Sequence, residues 1–160
     1  MLFLVKTLPR YVSRWGGIAL ISACALFIAL LPAMTPAAAG RTVWDHVYTD
    51  AQAGRGVQVF IDHCALCHAV NMQGGPGGAP ALVGPEFKFV WNDQTVGALF
   101  VVIRAKMPPG AAGNLSDQEY ADIVAVILQG NGFPAGGGQE LPGDGVLTSD
   151  IRIIWDQSGK

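Results

Sequence analysis

Residues 63 to 70 read HCALCHAV: Cys64 and Cys67 stand three positions apart, His68 follows directly, and the chain holds one other cysteine, Cys24. Three chemistries use cysteines at this spacing: a zinc half-site, a thiol redox centre and a haem anchor. Zinc asks for about four ligands in a tetrahedral array. Beyond Cys64, Cys67 and one of His63 or His68, only His46 is left to supply one, and there is no second cysteine pair. A redox C-x-x-C normally opens a helix behind a buried strand, where the helix dipole lowers the thiol pKa; here the preceding residues read as a helix that ends at the motif. The haem reading uses every member. Two thiols on adjacent positions of a helical turn can each add to one of two neighbouring vinyl groups, and the histidine that follows lies beneath the ring centre. Cys64 and Cys67 are therefore expected to become thioethers, with His68 as the proximal iron ligand.

A sixth ligand is sought among the methionines. Met1 and Met34 fall in the leader, and Met72 follows His68 too closely to reach the other ring face. Met107 stands in KMPPG, where two prolines hold the backbone extended and let it present a thioether at low conformational cost. The competing role for Met107 is core filler. His46 and His63 are expected to face solvent or pack locally.

The chain is 51% hydrophobic and 14% charged, and many of its apolar residues sit at the front. Residues 1 to 14 carry Lys6, Arg10 and Arg14 without an acid; an uncharged run from Trp15 to Met34 follows, then TPAAAG with small residues at Ala37 and Ala39. This pattern is that of a cleaved export signal over residues 1 to 39 with Gly40 as the mature start. Two alternatives remain. The run is long enough to span a bilayer as an uncleaved anchor, and ISAC ending at Cys24 has the form of a lipoprotein signal. The leader takes 3 of the 10 bases and none of the 12 acids, so residues 40 to 160 carry a net charge of −5. Such a domain is a poor nucleic-acid binder. Cys64 and Cys67 would close too small a loop to stabilise an exported protein as a disulfide, which again points to chemistry.

Residues 49 to 63 pair Thr49 with Gln52 as a capping box and place Ala53, Val57, Phe60 and Ile61 at helical spacing. Ala69 to Pro85 is too rich in glycine and proline for regular structure. Residues 95 to 106 form a second apolar helix, stopped by MPPG. A third opens with the capping box Ser116 and Glu119, buries Tyr120, Val124, Ile127 and Leu128, and closes at Gly130. From about 131 an extended tail begins with a surface loop, and IRIIWD near its end alternates like a short strand or an extended arm. The expected fold class is all-α: three main helices joined by long glycine-rich loops around one covalently bound haem, which would serve as part of a core that 19 glycines in residues 40 to 160 leave small.

With these residues in view, the sequence resembles the class I c-type cytochromes, specifically the small bacterial mono-haem ones that accompany PQQ-dependent (quinoprotein) dehydrogenases. The resemblance covers about residues 43 to 152 and rests on CALCH followed by MPPG, with VWDHVYTDAQAGRG, PALVGPEF, SDQEYADIVAVIL and NGFPAG as supporting pattern. It implies the class I cytochrome c fold, attachment of haem c at Cys64 and Cys67, and iron ligation by His68 and Met107. It further implies that the Pro80 carbonyl accepts the His68 ring proton, that Leu82 packs on the ring, and that Gly56 and Phe60 meet the last helix. The sequence departs from the family at Val126, where an aromatic is usual.

With both axial positions filled, substrate has no place on the iron, and electron transfer rather than catalysis is the expected role. The chain is expected to accept electrons in the periplasm from a PQQ-dependent dehydrogenase and pass them to an oxidase or another cytochrome, touching the membrane only if its leader is uncleaved. Alternatives are a haem enzyme or gas-binding sensor with a displaceable sixth ligand, and a tightly bound electron-transfer subunit whose IRIIWD arm docks to a dehydrogenase. Trp91 and Arg104 are further candidates for contact with haem propionates, against core packing and a solvated helix face as competing roles.

Overall fold

The computed structural model describes residues 40 to 145 and 150 to 156, and the proposed leader, residues 1 to 39, lies outside them. Five helices follow one another: α1 Asp50–His63, α2 Ala65–His68, α3 Gly84–Trp91, α4 Val96–Lys106 and α5 Asp117–Gly130. Among the described residues there is no strand beyond isolated bridges, so the class is all-α, as expected. No helix of the described residues is long and apolar enough to cross a membrane.

Each long helix starts where a side chain can satisfy a free backbone amide. Thr49 accepts from Gln52 N, Thr95 from Ala98 N, and Ser116 from Glu119 N. Only the α5 cap is a reciprocal box, with the Glu119 carboxylate bonded back to Ser116 N. The box expected at Thr49 is half-formed, because the Gln52 side chain is turned inward to Asp122 and the Leu141 backbone instead.

The principal helix contact is α1 against α5, with α4 also on α5. Gly56 makes the first possible: a Cβ there would stand 2.0 Å from the Asp122 carbonyl oxygen and 3.3 Å from Val126 Cβ. Gly56 thus meets the last helix as the resemblance implied, with Val126 beside it, and Phe60 is buried one turn on. The opposite side of α1 departs from expectation, since Val57 and Ile61 are 42% and 44% exposed while Gln52, Ala53, Gly56 and Phe60 are buried. Helix α5 is buried along its whole middle, from Tyr120 to Leu128.

Two further segments differ from or add to the expected architecture. Gly84–Trp91 is helical, with Pro85 in its first turn, where the missing amide proton costs nothing. The tail beyond 131 begins as the expected loop, exposed at residues 137 to 140, but it is not a free arm, because Phe133, Leu141, Ile151 and Ile153 are all buried in the core. Residues 151 to 153 thread between two backbones: Val43 N donates to the Arg152 carbonyl and Arg152 N to the Arg41 carbonyl, while Val96 N donates to Ile151 and Ile153 N to Gln94. Burial of both isoleucines packs IRIIWD onto the domain, with Arg152 and Asp156 left exposed. Tyr48 fastens the tail further, its buried hydroxyl donating to the Phe133 carbonyl at 2.5 Å.

Candidate functional site

Helix α1 delivers the cysteine motif. Cys64 caps its C-terminus, Cys64 N donating to the Phe60 carbonyl at 2.8 Å, and then begins the single turn α2, in which Cys67 N and His68 N both donate to the Cys64 carbonyl. The two cysteines consequently sit one turn apart, Cys64 half-buried and Cys67 exposed, both as free thiols. Ala69 leaves the turn with φ 61 and sends the chain back across the motif. It passes so closely that a Cβ on Gly75 would fall 2.0 Å from the Cys67 carbonyl oxygen. Gly74 N donates to the His68 carbonyl at 3.1 Å, which closes the loop on the histidine.

His68 is 6% exposed, and its Nδ1 lies 2.9 Å from the Pro80 carbonyl oxygen. A carbonyl only accepts, so Nδ1 carries the proton and Nε2 holds the lone pair. Nε2 has no hydrogen-bond partner among the described residues, yet no fully buried side-chain nitrogen or oxygen among them is unpaired; Nε2 therefore borders open space. A cleft of about 530 Å³ opens at Pro80, the residue whose carbonyl holds His68, and is lined further by Leu82, Pro85, Phe87, Phe89 and Trp91 among others. Asn131 holds this wall to the end of α5: its Nδ2 donates to the Leu82 and Ile127 carbonyls, and its Oδ1 accepts from Gly84 N.

Met107 ends α4 in extended conformation, half-buried, its N–H donating to the Ile103 carbonyl and its own carbonyl accepting from the Tyr120 hydroxyl at 2.9 Å. Met72 is buried in the core, its sulfur beside Gly130. His63 is exposed, and the exposed His46 has its Nδ1 on the Ala135 carbonyl. Arg104 pairs with Asp117, both half-exposed, and Trp91 stacks on Phe87, so each has the structural role that competed with a propionate contact.

The chemistry of the motif now narrows. Among the described residues no three His, Cys, Asp or Glu side chains are grouped to hold a metal, which removes the donor set for zinc. Burial, with the neighbouring Cys67, pushes the Cys64 thiol up to about 11, the opposite direction from an activated redox cysteine. What remains fits a haem: two reduced thiols one turn apart, a buried imidazole with its inner nitrogen fixed and its outer one open, and an apolar cleft that begins at Pro80, the partner of that inner nitrogen. Two contributors escaped the sequence reading. Asn131 sits in the Asn-Gly pair after α5, and Tyr120 was read only as core, although a buried tyrosine hydroxyl normally has a partner to find.

Comparison with known proteins agrees with this geometry. The family described as "Cytochrome C oxidase, cbb3-type, subunit III" matches residues 51–127. The cytochrome c subunit of quinone alcohol dehydrogenase from Gluconobacter oxydans is 31% identical over 64% of this chain and 22% of its own length. A cytochrome bc1 complex cytochrome c subunit from Mycobacterium bovis is 24% identical over 86% of the chain and 48% of its own length. Cytochrome c6 from Thermosynechococcus vestitus is 28% identical over 68% of the chain and 88% of its own length. The chain thus spans less than half of the first two relatives. No solved structure matches it. Residues 51–127 thus match a c-type cytochrome domain, and over that stretch the chain is similar to the c-type cytochromes.

Proposed function

We propose that the chain carries single electrons in the periplasm by means of one haem c, bound covalently at Cys64 and Cys67 and ligated by His68 and Met107, taking electrons from a quinoprotein dehydrogenase and passing them to an oxidase or another cytochrome. The bound haem supplies a one-electron iron couple. One observation carries the reading: His68 is buried with Nδ1 tied to the Pro80 carbonyl at 2.9 Å and Nε2 left open. Such a partner fixes ring orientation and raises the basicity of the ligating nitrogen. Pro80, Leu82 and Phe87 supply apolar surface that excludes water from that side of the site, and a thioether favours ferrous iron; both effects raise the potential.

The donor is proposed from the first subunit relative, named for a quinone alcohol dehydrogenase. Periplasmic location rests on the leader, residues 1 to 39, and on the need of the thiols for reduced delivery to attachment machinery outside the cytoplasm. The test is expression with cytochrome maturation. A haem stain should survive denaturing electrophoresis and disappear in Cys64→Ala/Cys67→Ala, and the ferric protein should show the weak near-infrared sulfur-to-iron charge-transfer band, lost in Met107→Ala. High-spin ferric iron without that band would instead establish a haem enzyme or gas sensor.

A further inference from the structure

Between α4 and α5 the chain runs through MPPGAAGN, residues 107 to 114, a segment whose Pro109, Gly110, Ala112, Gly113 and Asn114 are exposed. Two tight turns shape it: Ala111 N donates to the Pro108 carbonyl at 2.9 Å and Asn114 N to the Ala111 carbonyl at 3.2 Å. Gly110 and Gly113 take φ of 81 and 77, conformations open to glycine at little cost. Neither turn ties the end of the loop to Met107. That tie is made by one oxygen: the Tyr120 hydroxyl donates to the Met107 carbonyl at 2.9 Å and accepts from Gly113 N at 2.9 Å.

The oxygen itself is held rigidly. Tyr120 is 0% exposed, its ring stands edge-on to Phe100 at 6.4 Å, and its backbone lies in the first turns of α5, where the capping box sets the helix start. Met107 is therefore clasped twice, at its N–H by the Ile103 carbonyl of α4 and at its carbonyl by a side chain of α5. We infer that Tyr120 is the positioning residue for the sixth ligand: its single hydroxyl closes residues 107 to 113 into a ring and keeps the Met107 thioether from leaving the iron. The inference rests on Met107 being a ligand, as proposed above. Without the hydroxyl, the Met107 carbonyl and the Gly113 amide lose their partner while the shape of the core is unchanged, so the loop opens more often and an external ligand competes more easily.

The experiment compares the ferric haem-loaded protein with Tyr120→Phe, and with Tyr48→Phe as a control that deletes an equally buried tyrosine hydroxyl bond elsewhere. Imidazole should displace Met107 from Tyr120→Phe at roughly tenfold lower concentration, as expected when the bond to the Met107 carbonyl is lost and the amide of exposed Gly113 turns to water, and from Tyr48→Phe at the concentration needed for the unmodified protein. Amide exchange adds a reading that needs no variant to fold: Gly113 N–H should be protected in the unmodified protein although its residue is exposed. A band retained in Met107→Ala overturns both this inference and the ligand assignment. Should that band be lost while Tyr120→Phe titrates like the unmodified protein or like Tyr48→Phe, or should Gly113 exchange freely, the positioning role alone is overturned.

Discussion

Replacing Gly56 by alanine should do far more damage than the same replacement two residues earlier. At Gly56 the new Cβ would lie 2.0 Å from the Asp122 carbonyl oxygen and 2.6 Å from the carbon it belongs to, both backbone atoms of α5. Ordinary contact begins near 3.4 Å, so the two helices must part by about 1.4 Å. A shift of that size stretches the Gln52 to Asp122 bond, 3.1 Å at present, out of hydrogen-bonding range. It also loosens Arg55 on Asp122, which adds little because Arg55 is half-exposed. Overpacking of about 3 kcal/mol and a lost buried bond of about 1 kcal/mol outweigh the gain of about 1 kcal/mol from alanine's helix propensity, leaving a net loss of about 3 kcal/mol. For a domain of this size that lowers Tm by roughly 10 °C. At Gly54, exposed and with nothing within 4 Å of the added carbon, only the propensity gain applies, and Tm should rise by a few degrees. Thermal unfolding of the two ferric variants followed by far-ultraviolet circular dichroism measures both. If Gly56→Ala melts within a degree or two of Gly54→Ala, the close approach of α1 and α5 is wrong.

Three other outcomes are expected. Burial, with the charge of Asp50, raises the Tyr48 hydroxyl from 10.0 to about 12. The native state then keeps a proton that the unfolded chain releases first, so this stability is complete below pH 10 and lost at about 1.4 kcal/mol per unit as pH rises towards 12; Tyr48→Phe should flatten that part of a stability-against-pH curve. Asn131→Ala leaves the Leu82 carbonyl and Gly84 N without their partner, and should cost about 2 kcal/mol in urea denaturation together with faster exchange of the Gly84 amide. Residues 40 to 160 contain only Lys88, Lys106 and Lys160 as lysines, so electron exchange with a donor should vary little with ionic strength; a steep fall of the rate with added salt would contradict an apolar contact face.

How much of this could be read in advance depended on whether an element announces itself by local pattern. Helices α1, α4 and α5 did so, all through apolar spacing, and α1 and α5 also through Thr49 and Ser116 at their caps. Helix α3 did not: its cap is Val83, which offers no side-chain bond, and Pro85 marks a helix start as readily as a loop end. Periodicity also says nothing about which apolar side meets a neighbour. Val57 and Ile61 have the spacing of Ala53 and Phe60 yet face outward, and the glycine at 56, small enough for a second backbone, was the better sign of the buried face. Within the site, the cysteine motif was legible because its chemistry is written in adjacent side chains. The bond between His68 and Pro80 uses a backbone carbonyl 12 residues away, and a carbonyl leaves no mark in the residue alphabet, so that contact came only from resemblance. The Tyr120 clasp, acting on a second carbonyl and an amide, came from neither.

The tail changes what the cofactor has to do for the fold. A glycine-rich chain of this length looks unable to close a core without a haem inside it, yet Phe133, Leu141, Ile151 and Ile153 bring apolar mass from beyond α5 and pack it with α1, α4 and α5. Aromatic contacts extend this body, with Trp44 edge-on to Phe133 at 5.3 Å, Phe133 edge-on to Trp155 at 4.8 Å, and Trp155 meeting Phe87 of α3 at 6.1 Å. Phe87 joins core and cleft, because it is buried in the first and also lines the second. One helix therefore serves two tasks: its inner side is fixed by a core built from the polypeptide alone, while Phe89, 90% exposed, is left free of that core at the edge of the cleft. A wall anchored from behind is preorganised, so binding energy is not consumed in ordering it. Helix α3, Asn131 and the tail form one support, and their contribution to the site is to hold Leu82 still, two residues from the Pro80 carbonyl that fixes His68.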